Sequence, residues 1–428
     1  MTNEHTSVNE TYSPSSATFG VAVLALFAFF RPVTVSFHHI GSVSVLDIFG
    51  IASSYLILLA LLINMRNIRL PGISYFILFY VFYCSLSIFW GSGYRDVVRA
   101  VAPFLPFFLV MAAVRHQGQV KFLLSALCLG YLLPVFGSIY LNLAGKSDII
   151  VTGSMLERQA GLSSGVHTTG HLMLFFSFVF ALYHIVNKDN GKLRHLLLAA
   201  LLAGSVFCMY KTYTRTVFMG GLIFWSSYLF FTSKKWFFAF VMTVALISLV
   251  KFSDINSIVM QKQQKNRTFD VNAAGSGRES LWKHNLQLYA ALPVTSQLLG
   301  VGMGKETQRV PGSFVLWAGS HNDYISLMVT VGAIGLLLYL VIYGIYLLAI
   351  VRSRWRRDLS YFALSLMLSV ILMNFVSNSY IVRFQMAQLL WFILGLIYAY
   401  GIYETSVIPK PEKRDAQAMP ALIGAHGK

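Results

Sequence analysis

Residues 320–335 read S-H-N-D-Y-I-S-L-M-V-T-V-G-A-I-G, and the chain then stays apolar as far as residue 350. An apolar run of this length is typical of a helix that crosses a lipid bilayer. Similar runs recur along most of the 428 residues, of which 56% are hydrophobic and only 11% are charged. Soluble domains carry about 25% charged residues, so the sequence predicts an all-α, polytopic membrane helix bundle.

Twelve membrane helices are predicted from these runs, and the fourth should be kinked because it contains Pro103 and Pro106. Their expected spans are residues 18–31, 45–64, 72–90, 97–114, 120–143, 167–187, 195–212, 216–232, 236–252, 322–350, 359–377 and 384–403. The resulting domains are an N-terminal tail (1–17), helices 1 to 9 (18–252), a large loop (253–321), helices 10 to 12 (322–403) and a C-terminal tail (404–428).

The expected orientation follows from the Lys and Arg content of alternate connections. These connections and the C-terminal tail contain Arg66, Arg69, Arg115, Lys121, Lys188, Lys192, Arg194, Lys234, Lys235, Arg352, Arg354, Arg356, Arg357, Lys410, Lys413 and Arg414. We therefore expect both termini on the cytoplasmic side and the large loop on the external side. The length of that loop indicates a functional loop or a small subdomain, because plain connectors are much shorter.

The predicted external side also contains many basic residues, although the same rule disfavours them there. They include Arg95, Arg99, Arg158, Lys211, Arg215, Arg278, Lys305, Arg309 and Arg383. Snorkelling explains single members, but the whole set indicates an anionic ligand, because arginine binds phosphate and diphosphate bidentately. The formal net charge of +17 does not indicate nucleic acid, since no long basic stripe with interleaved aromatics lies outside the helices.

Arg278 is the first candidate for binding that anion. Ser276 and Glu279 fit a capping box, which predicts a helix that starts there and stops before Pro293. Arg278 would lie in its first turn, where free N–H groups and a guanidinium together can cradle a phosphate. The alternatives are an ion pair with Glu279 or Glu157, or a solvated side chain.

The glycine run from Gly300 to Gly304 is not a Walker A motif, because its spacing differs and Glu306 follows Lys305. Gly300 and Gly302 instead suit a tight turn that brings the backbone close to a ligand or to another helix. A flexible loop is the equally open alternative.

His321 is the candidate general base, because histidine titrates near neutral pH. Asn322, or the preceding Ser320, would cap the tenth helix. Gly332 should fall on nearly the same helical face as His321, and Gly335 close to it, so that a neighbouring helix can approach. The alternative for His321 is an interfacial residue with a structural hydrogen bond.

Two further positions leave questions open. Arg215 lies in a very short external turn, where its charge either snorkels or points into a cavity. Asp323 could orient His321 or compete with it. The other histidines show no H-E-x-x-H spacing, and the three cysteines lie in apolar runs, so we expect neither a metal nor a cofactor.

Taken together, these residues resemble the bacterial O-antigen ligase/polymerase superfamily of polytopic membrane glycosyltransferases. The resemblance rests on the spacing H-[NSQ]-x9-G-x2-[GTY], which His321, Asn322, Gly332 and Gly335 fit, on Gly277-Arg278 with Trp282, on Leu299-Gly300-Val301-Gly302, and on Thr214-Arg215. Twelve helices with a large external loop between the ninth and tenth are similar to the family layout.

The resemblance implies a C-type glycosyltransferase fold that needs no metal or nucleotide sugar. The donor would be a glycan on a polyprenyl diphosphate, usually undecaprenyl, at the periplasmic face of the bacterial inner membrane. Arg215 and Arg278 would hold the diphosphate, with Arg158 as a further candidate, and His321 would activate or position the acceptor hydroxyl. Asn322, Gly332, Gly335, Gly300 and Gly302 would support this site.

Two functions occur in the family, and the sequence does not separate them. A ligase transfers the glycan to lipid A-core, whereas a polymerase transfers it to the next lipid-linked repeat unit of an O-antigen or exopolysaccharide. The R-x10-G repeats of some polymerases are missing, since Thr169 and Tyr289 stand at that spacing after Arg158 and Arg278. A secondary transporter or lipid-linked oligosaccharide flippase, or an assembly subunit, are the other hypotheses.

Overall fold

The structure is a computed structural model that describes residues 14–37, 39–40, 43–65, 70–151, 157–163, 165–188, 191–250, 278–304 and 320–407. Sixteen α-helices dominate these residues: α1 (Pro14–Ser36), α2 (Val45–Ile63), α3 (Gly72–Leu86), α4 (Tyr94–Val101), α5 (Leu105–Ala113), α6 (Gln117–Gly130), α7 (Leu132–Leu143), α8 (Val166–Val186), α9 (Lys192–Lys211), α10 (Arg215–Thr232), α11 (Lys234–Val250), α12 (Arg278–Ala290), α13 (Val294–Leu299), α14 (Asp323–Arg352), α15 (Arg357–Val376) and α16 (Phe384–Val407). Two short antiparallel hairpins accompany them, β1 (His39–Ile40) with β2 (Val43–Ser44) and β3 (Ile149–Val151) with β4 (Glu157–Gln159).

The predicted fold class is confirmed. Among the described residues, nine helical segments are long and apolar enough to cross a membrane, and the apolar part of α2, Ile48–Ile63, is shorter. Each predicted membrane helix corresponds to one observed helix or to two consecutive observed helices. The fourth is the pair α4 and α5, joined by a 3-10 turn at Ala102–Phe104, which is the kink expected from its prolines. The twelve-crossing topology with its tails and external loop stays a prediction.

Polar contacts define two ends of the bundle. At one end, called the basic end, Lys188 after α8 pairs with Asp358 in α15 at 2.7 Å, and Arg356 pairs with Glu404 near the end of α16 at 3.1 Å. At the opposite end, called the site end, the side chain of Arg278 donates to the carbonyl oxygen of the last residue of α15. The end of α8, the start of α15 and the end of α16 therefore lie at the basic end, and the end of α15 lies at the site end.

Helix α14 is interrupted at Gly332, whose backbone has φ 73° and ψ −179°. This conformation is accessible to glycine and costly for any residue with a Cβ. The interruption removes the helical partners of the backbone carbonyls just before it and of the N–H groups just after it.

The glycine turn, residues 300–302, fills this interruption with its own backbone. The N–H of Val301 donates to the Val329 carbonyl at 2.9 Å, and that of Gly302 donates to the Thr330 carbonyl at 3.0 Å. A Cβ on Gly300 would lie 2.3 Å from the Thr330 oxygen, so the two backbones touch. The predicted tight turn beside another helix is confirmed.

Helix α3 and the 3-10 turn after it, Ser87–Trp90, supply further contacts at the interruption. The Tyr83 hydroxyl donates to the Val331 carbonyl at 2.8 Å. A Cβ on Gly335 would lie 3.0 Å from the Tyr83 ring, which confirms the expected close approach of a neighbouring helix. The indole N–H of Trp90 donates to the carbonyl of Leu299, the residue before the glycine turn, at 3.0 Å.

Replacing Gly332 by alanine should destabilise the protein, because a Cβ there would lie 2.2 Å from the Leu298 carbonyl oxygen in a conformation that disfavours side chains. The expected loss is at least about 2 kcal/mol, seen as a lower apparent melting temperature in detergent. Gly344→Ala in the same helix is the matched control, since a Cβ there meets nothing within 4 Å. The melting temperature of the control should equal or slightly exceed that of the wild type, since alanine favours a helix more than glycine does. Equal melting temperatures for Gly332→Ala and Gly344→Ala would contradict the packing described here.

Candidate functional site

Six cationic or titratable side chains from different elements converge at the site end. This cationic cluster consists of Arg158, His167, Arg215, Arg278, His321 and Arg383. Arg158, Arg278, Arg383 and His321 all lie close enough to His167 to interact with it electrostatically. Arg215 interacts in the same way with Arg158 and Arg278. The structure thus brings together all three arginines that were predicted to bind a diphosphate, with the predicted base beside them.

Arg158 is held by the turn between α9 and α10. Its Nε donates to the Thr212 carbonyl at 2.9 Å, and Nη2 donates to the Thr214 hydroxyl at 3.0 Å. These bonds fix strand β4 next to the start of α10, where Arg215 is the first residue and has an exposed side chain. Burial lowers the pKa of Arg158, and the positive charge of Arg215 lowers it further.

Arg278 begins α12, which ends before Pro293 as predicted. Its Nη1 donates to the Val376 carbonyl at the end of α15. Glu279 pairs instead with Lys283 at 2.7 Å, so the alternative of an Arg278–Glu279 ion pair is wrong. Burial lowers the pKa of the Arg278 guanidinium, and Arg215 adds to this effect. The predicted cap, Ser276, lies outside the described residues.

Helix α12 is docked on the bundle through an aromatic anchor. The Trp282 indole N–H donates to the Ser320 carbonyl at 2.7 Å, and the Trp282 ring packs against Phe375 at 5.3 Å between centroids. Leu292 at the end of this segment packs with Ile325 and Val329 of α14. These contacts hold Arg278 over the ends of α14 and α15.

His321 lies just before α14 and not inside it. Asn322 is the N-cap, because its side-chain oxygen accepts from the N–H groups of Tyr324 at 2.9 Å and Ile325 at 3.1 Å. His321 has a left-handed backbone with φ +48°, and its side chain is only partly exposed. The expected alignment of His321 with Gly332 along one helical face is therefore wrong, since the helix starts after the first and is interrupted at the second.

The surroundings of His321 favour its neutral form. Partial burial lowers the pKa of the ring below its ordinary value, and the positive charges of Arg278 and Arg383 lower it further. A neutral imidazole keeps one nitrogen as a proton acceptor at neutral pH.

Asp323 organises the segment that leads to Arg383 and does not orient His321. The carboxylate is fully buried, where it must be hydrogen-bonded. It accepts four backbone N–H groups, from Ser379 at 2.9 Å, Tyr380 at 3.1 Å, Ile381 at 3.2 Å and Val382 at 3.3 Å. Arg383 follows directly, so Asp323 fixes where this arginine enters the cluster. Burial lowers the pKa of Arg383, while Asp323 and Tyr380 oppose that effect.

Sequence reasoning did not assign two features of the cluster. Arg383 was predicted only as one of many external basic residues, with no role of its own. His167 and His171 were considered only as metal ligands, although their i, i+4 spacing puts them on one face of α8. His171 is fully buried with its ring edge against Tyr380 at 5.9 Å, and its ring nitrogens have no hydrogen-bond partner among the described residues. Within those residues no group of three or more His, Cys, Asp or Glu could hold a metal ion.

These features define a polytopic helical membrane protein with a cationic site at one end of its helices. Residues 197–340 match the family model described as O-antigen ligase. This match supports the O-antigen ligase/polymerase superfamily, and the matched region contains Arg215, Arg278, His321 and Gly332. No curated protein matches the chain in sequence. The family supports an O-antigen ligase-type function, with lipid-linked glycans as substrates in a bilayer.

Asp323→Asn should release the segment of residues 379–382, because an amide keeps one acceptor oxygen but loses the negative charge. Hydrogen bonds to charged groups contribute about 1.5–3 kcal/mol each, so amide exchange in this segment should accelerate at least about tenfold. Hydrogen–deuterium exchange of the purified protein measures this. Asp358→Asn at the basic end is the control and should leave the segment unchanged; unaltered protection in Asp323→Asn would refute the assigned role.

Proposed function

We propose that this protein transfers a glycan from a polyprenyl diphosphate carrier to an acceptor hydroxyl. The observation that carries the proposal is the convergence of Arg158, Arg215 and Arg278 from three separate elements beside His321. Partly buried like charges repel one another, so such a cluster is unfavourable unless an anion joins it. A diphosphate supplies two adjacent anionic groups, which match several guanidinium groups.

The way in which the arginines are held supports this role. Arg158 and Arg278 are anchored through carbonyl and hydroxyl oxygens, which fix their position without neutralising their charge. A guanidinium has five N–H donors, so such anchoring still allows further bonds to phosphate oxygens. Preorganised positive charge of this kind stabilises the negative charge that develops on a leaving diphosphate.

The proposed reaction is a single inverting displacement. The neutral ring of His321 takes the proton of the acceptor hydroxyl as its oxygen forms a bond to the anomeric carbon. The bond between that carbon and the phosphate oxygen breaks on the opposite face, and its electron pair leaves with the lipid diphosphate. Arg158, Arg215 and Arg278 bind this anion, and His321 then releases its proton to water. Neither a metal ion nor a nucleotide sugar takes part in this scheme.

We place the site at the periplasmic face of the bacterial inner membrane, with both termini in the cytoplasm. The support is the basic end, where Lys188 and Arg356 lie, because connections rich in Lys and Arg remain cytoplasmic. The cationic cluster lies at the other end of the same helices.

The alternative of a transporter or flippase is less well supported. In transporters, interrupted helices present freed backbone groups to the substrate near the membrane midplane. The interruption of α14 instead binds Val301, Gly302 and Tyr83 of the protein itself.

Cells without this protein should lose long glycan chains, and the wild-type gene should restore them. His321→Ala and Arg278→Ala should each fail to restore chains at normal protein levels, because the first lacks the base and the second lacks part of the diphosphate site. Arg354→Ala, an exposed position at the basic end, is the control and should restore them. Full assembly in both site variants would sink the proposal.

Glycan profiling of these cells on a gel measures the restored chains and also separates the two functions of the family. A single repeat unit left on lipid A-core indicates a polymerase, whereas full-length chains accumulating on the lipid carrier indicate a ligase. An unchanged profile in cells lacking the protein would exclude lipopolysaccharide and leave a secreted or capsular polysaccharide, or the transporter.

The transfer rate of the purified protein should fall as the pH is lowered. This acidic limb of the pH profile should lie below about pH 6.5, the ordinary pKa of histidine. Burial and the cations around His321 lower its pKa, so the ring stays neutral and active to lower pH. Arg383→Gln removes one of these charges, raises the pKa of His321 and should therefore move the acidic limb to higher pH. A pH profile of kcat/KM, which reports the pKa of the ligand-free protein, measures both effects, and an acidic limb that stays in place in Arg383→Gln would argue against His321 as the base.

A further inference from the structure

A second feature of the site end is a cavity of about 220 Å³ beside α4, called here the α4 cavity. Its walls come from α3, α4, the glycine turn region, α14, α16 and the segment before Arg383. Asp96 and Arg99 belong to its lining, and Asp96 is half-buried whereas Arg99 is exposed. They are three residues apart on α4 and so share one helical face.

The α4 cavity shares one structural element with the cationic cluster. Ile381 and Val382 form part of its wall, and they belong to the segment that Asp323 holds by hydrogen bonds. The next residue, Arg383, interacts with His167 and His321 of the cluster. The cavity and the cluster are therefore adjacent along one short, fixed segment.

The lining of the α4 cavity combines apolar side chains with polar groups. Tyr80, Phe104, Tyr339 and Trp391 close its inner wall and are almost fully buried, packed against one another. The hydroxyl of Thr330 donates to the Ser326 carbonyl at 2.7 Å, which leaves its oxygen as an acceptor. Together with the carboxylate of Asp96 and the guanidinium of Arg99, the cavity offers both acceptors and donors beside an apolar wall.

This combination suits a sugar ring better than a lipid tail. A sugar ring has hydroxyl groups that can pair with Asp96 and Arg99 and C–H groups that can contact the apolar part of the wall. A polyprenyl tail has no group that can hydrogen-bond to the half-buried carboxylate of Asp96, so covering that carboxylate with a tail would be unfavourable. Sites for drug-sized ligands measure about 300–1,000 Å³, so a volume of about 220 Å³ fits a ligand of about one ring.

We propose that the α4 cavity is a carbohydrate subsite that binds one sugar residue of a glycan substrate during transfer. The inference rests on the proposed function, and it adds a binding site at a distance from the reacting atoms. The sugar belongs either to the donor glycan or to the acceptor glycan, which present the same chemistry to Asp96 and Arg99.

Steady-state transfer kinetics of the purified protein, with donor and acceptor varied in turn, test this subsite. Asp96→Asn and Arg99→Gln should each raise the KM for one glycan substrate about tenfold and leave kcat within about twofold, since each loses a charge-assisted hydrogen bond remote from the reaction. Ala100→Phe, which fills the cavity without changing its charges, should raise the same KM.

The matched control is Arg95→Gln. Arg95 is exposed on the same helix, contacts Tyr94 at 3.4 Å and is not part of the cavity lining, so the variant loses the same charge outside the subsite. It should keep both KM values of the wild type. An equal rise in Arg95→Gln and Arg99→Gln would mean that general electrostatic attraction, and not a subsite, is responsible, and would overturn the proposal.

The outcomes separate the subsite from the proposed function. A higher KM for the acceptor assigns the cavity to the acceptor glycan, and a higher KM for the donor assigns it to the donor glycan. Wild-type KM values in all three cavity variants reject the subsite while transfer itself stands.

If the wild-type protein transfers nothing, the proposed function fails, and saturation-transfer NMR with methyl glucoside, methyl galactoside and N-acetylglucosamine decides the subsite. Signals lost in Asp96→Asn but kept in Arg95→Gln support it, whereas no signal in the wild type overturns it.

Discussion

The interruption of α14 at Gly332 is the constraint on which the site end depends. Backbone groups that lose their helical hydrogen-bond partners inside a membrane bundle must find other partners in the protein, because water is not available there to replace them. The glycine turn and Tyr83 provide those partners through Val329, Thr330 and Val331. Since α12 and α13 lead into the glycine turn, these bonds fix the end of the segment that begins at Arg278.

The start of α14 organises the other half of the cationic cluster. Asn322 caps the helix and leaves His321 outside it with a left-handed backbone, while Asp323 turns inward and binds the segment before Arg383. Three consecutive residues thus place a titratable ring, a helix end and a distant arginine. Anchoring Arg158 and Arg278 through neutral oxygens keeps the cluster positive, which is the electrostatic requirement for binding an anion.

Sequence reasoning succeeded where the information was local. The helices, the proline kink between α4 and α5 and the end of α12 before Pro293 follow from hydrophobic runs and prolines close in the chain. It failed at the alignment of His321 with Gly332, which assumed one continuous helix. The role of Asp323 stayed open, because it depends on backbone N–H groups more than fifty residues away.

The sequence by itself determined the class of protein, a polytopic helical membrane protein, and it carries the motifs that indicate the O-antigen ligase/polymerase superfamily. A membrane helix satisfies its own backbone hydrogen bonds, so an apolar run of sufficient length specifies a helix without reference to its neighbours. Only the tertiary structure decided that Arg383 joins Arg158, Arg215 and Arg278, and that a cavity lies beside α4. These features depend on contacts between side chains and backbone groups from distant parts of the chain, and no local pattern records which of them meet.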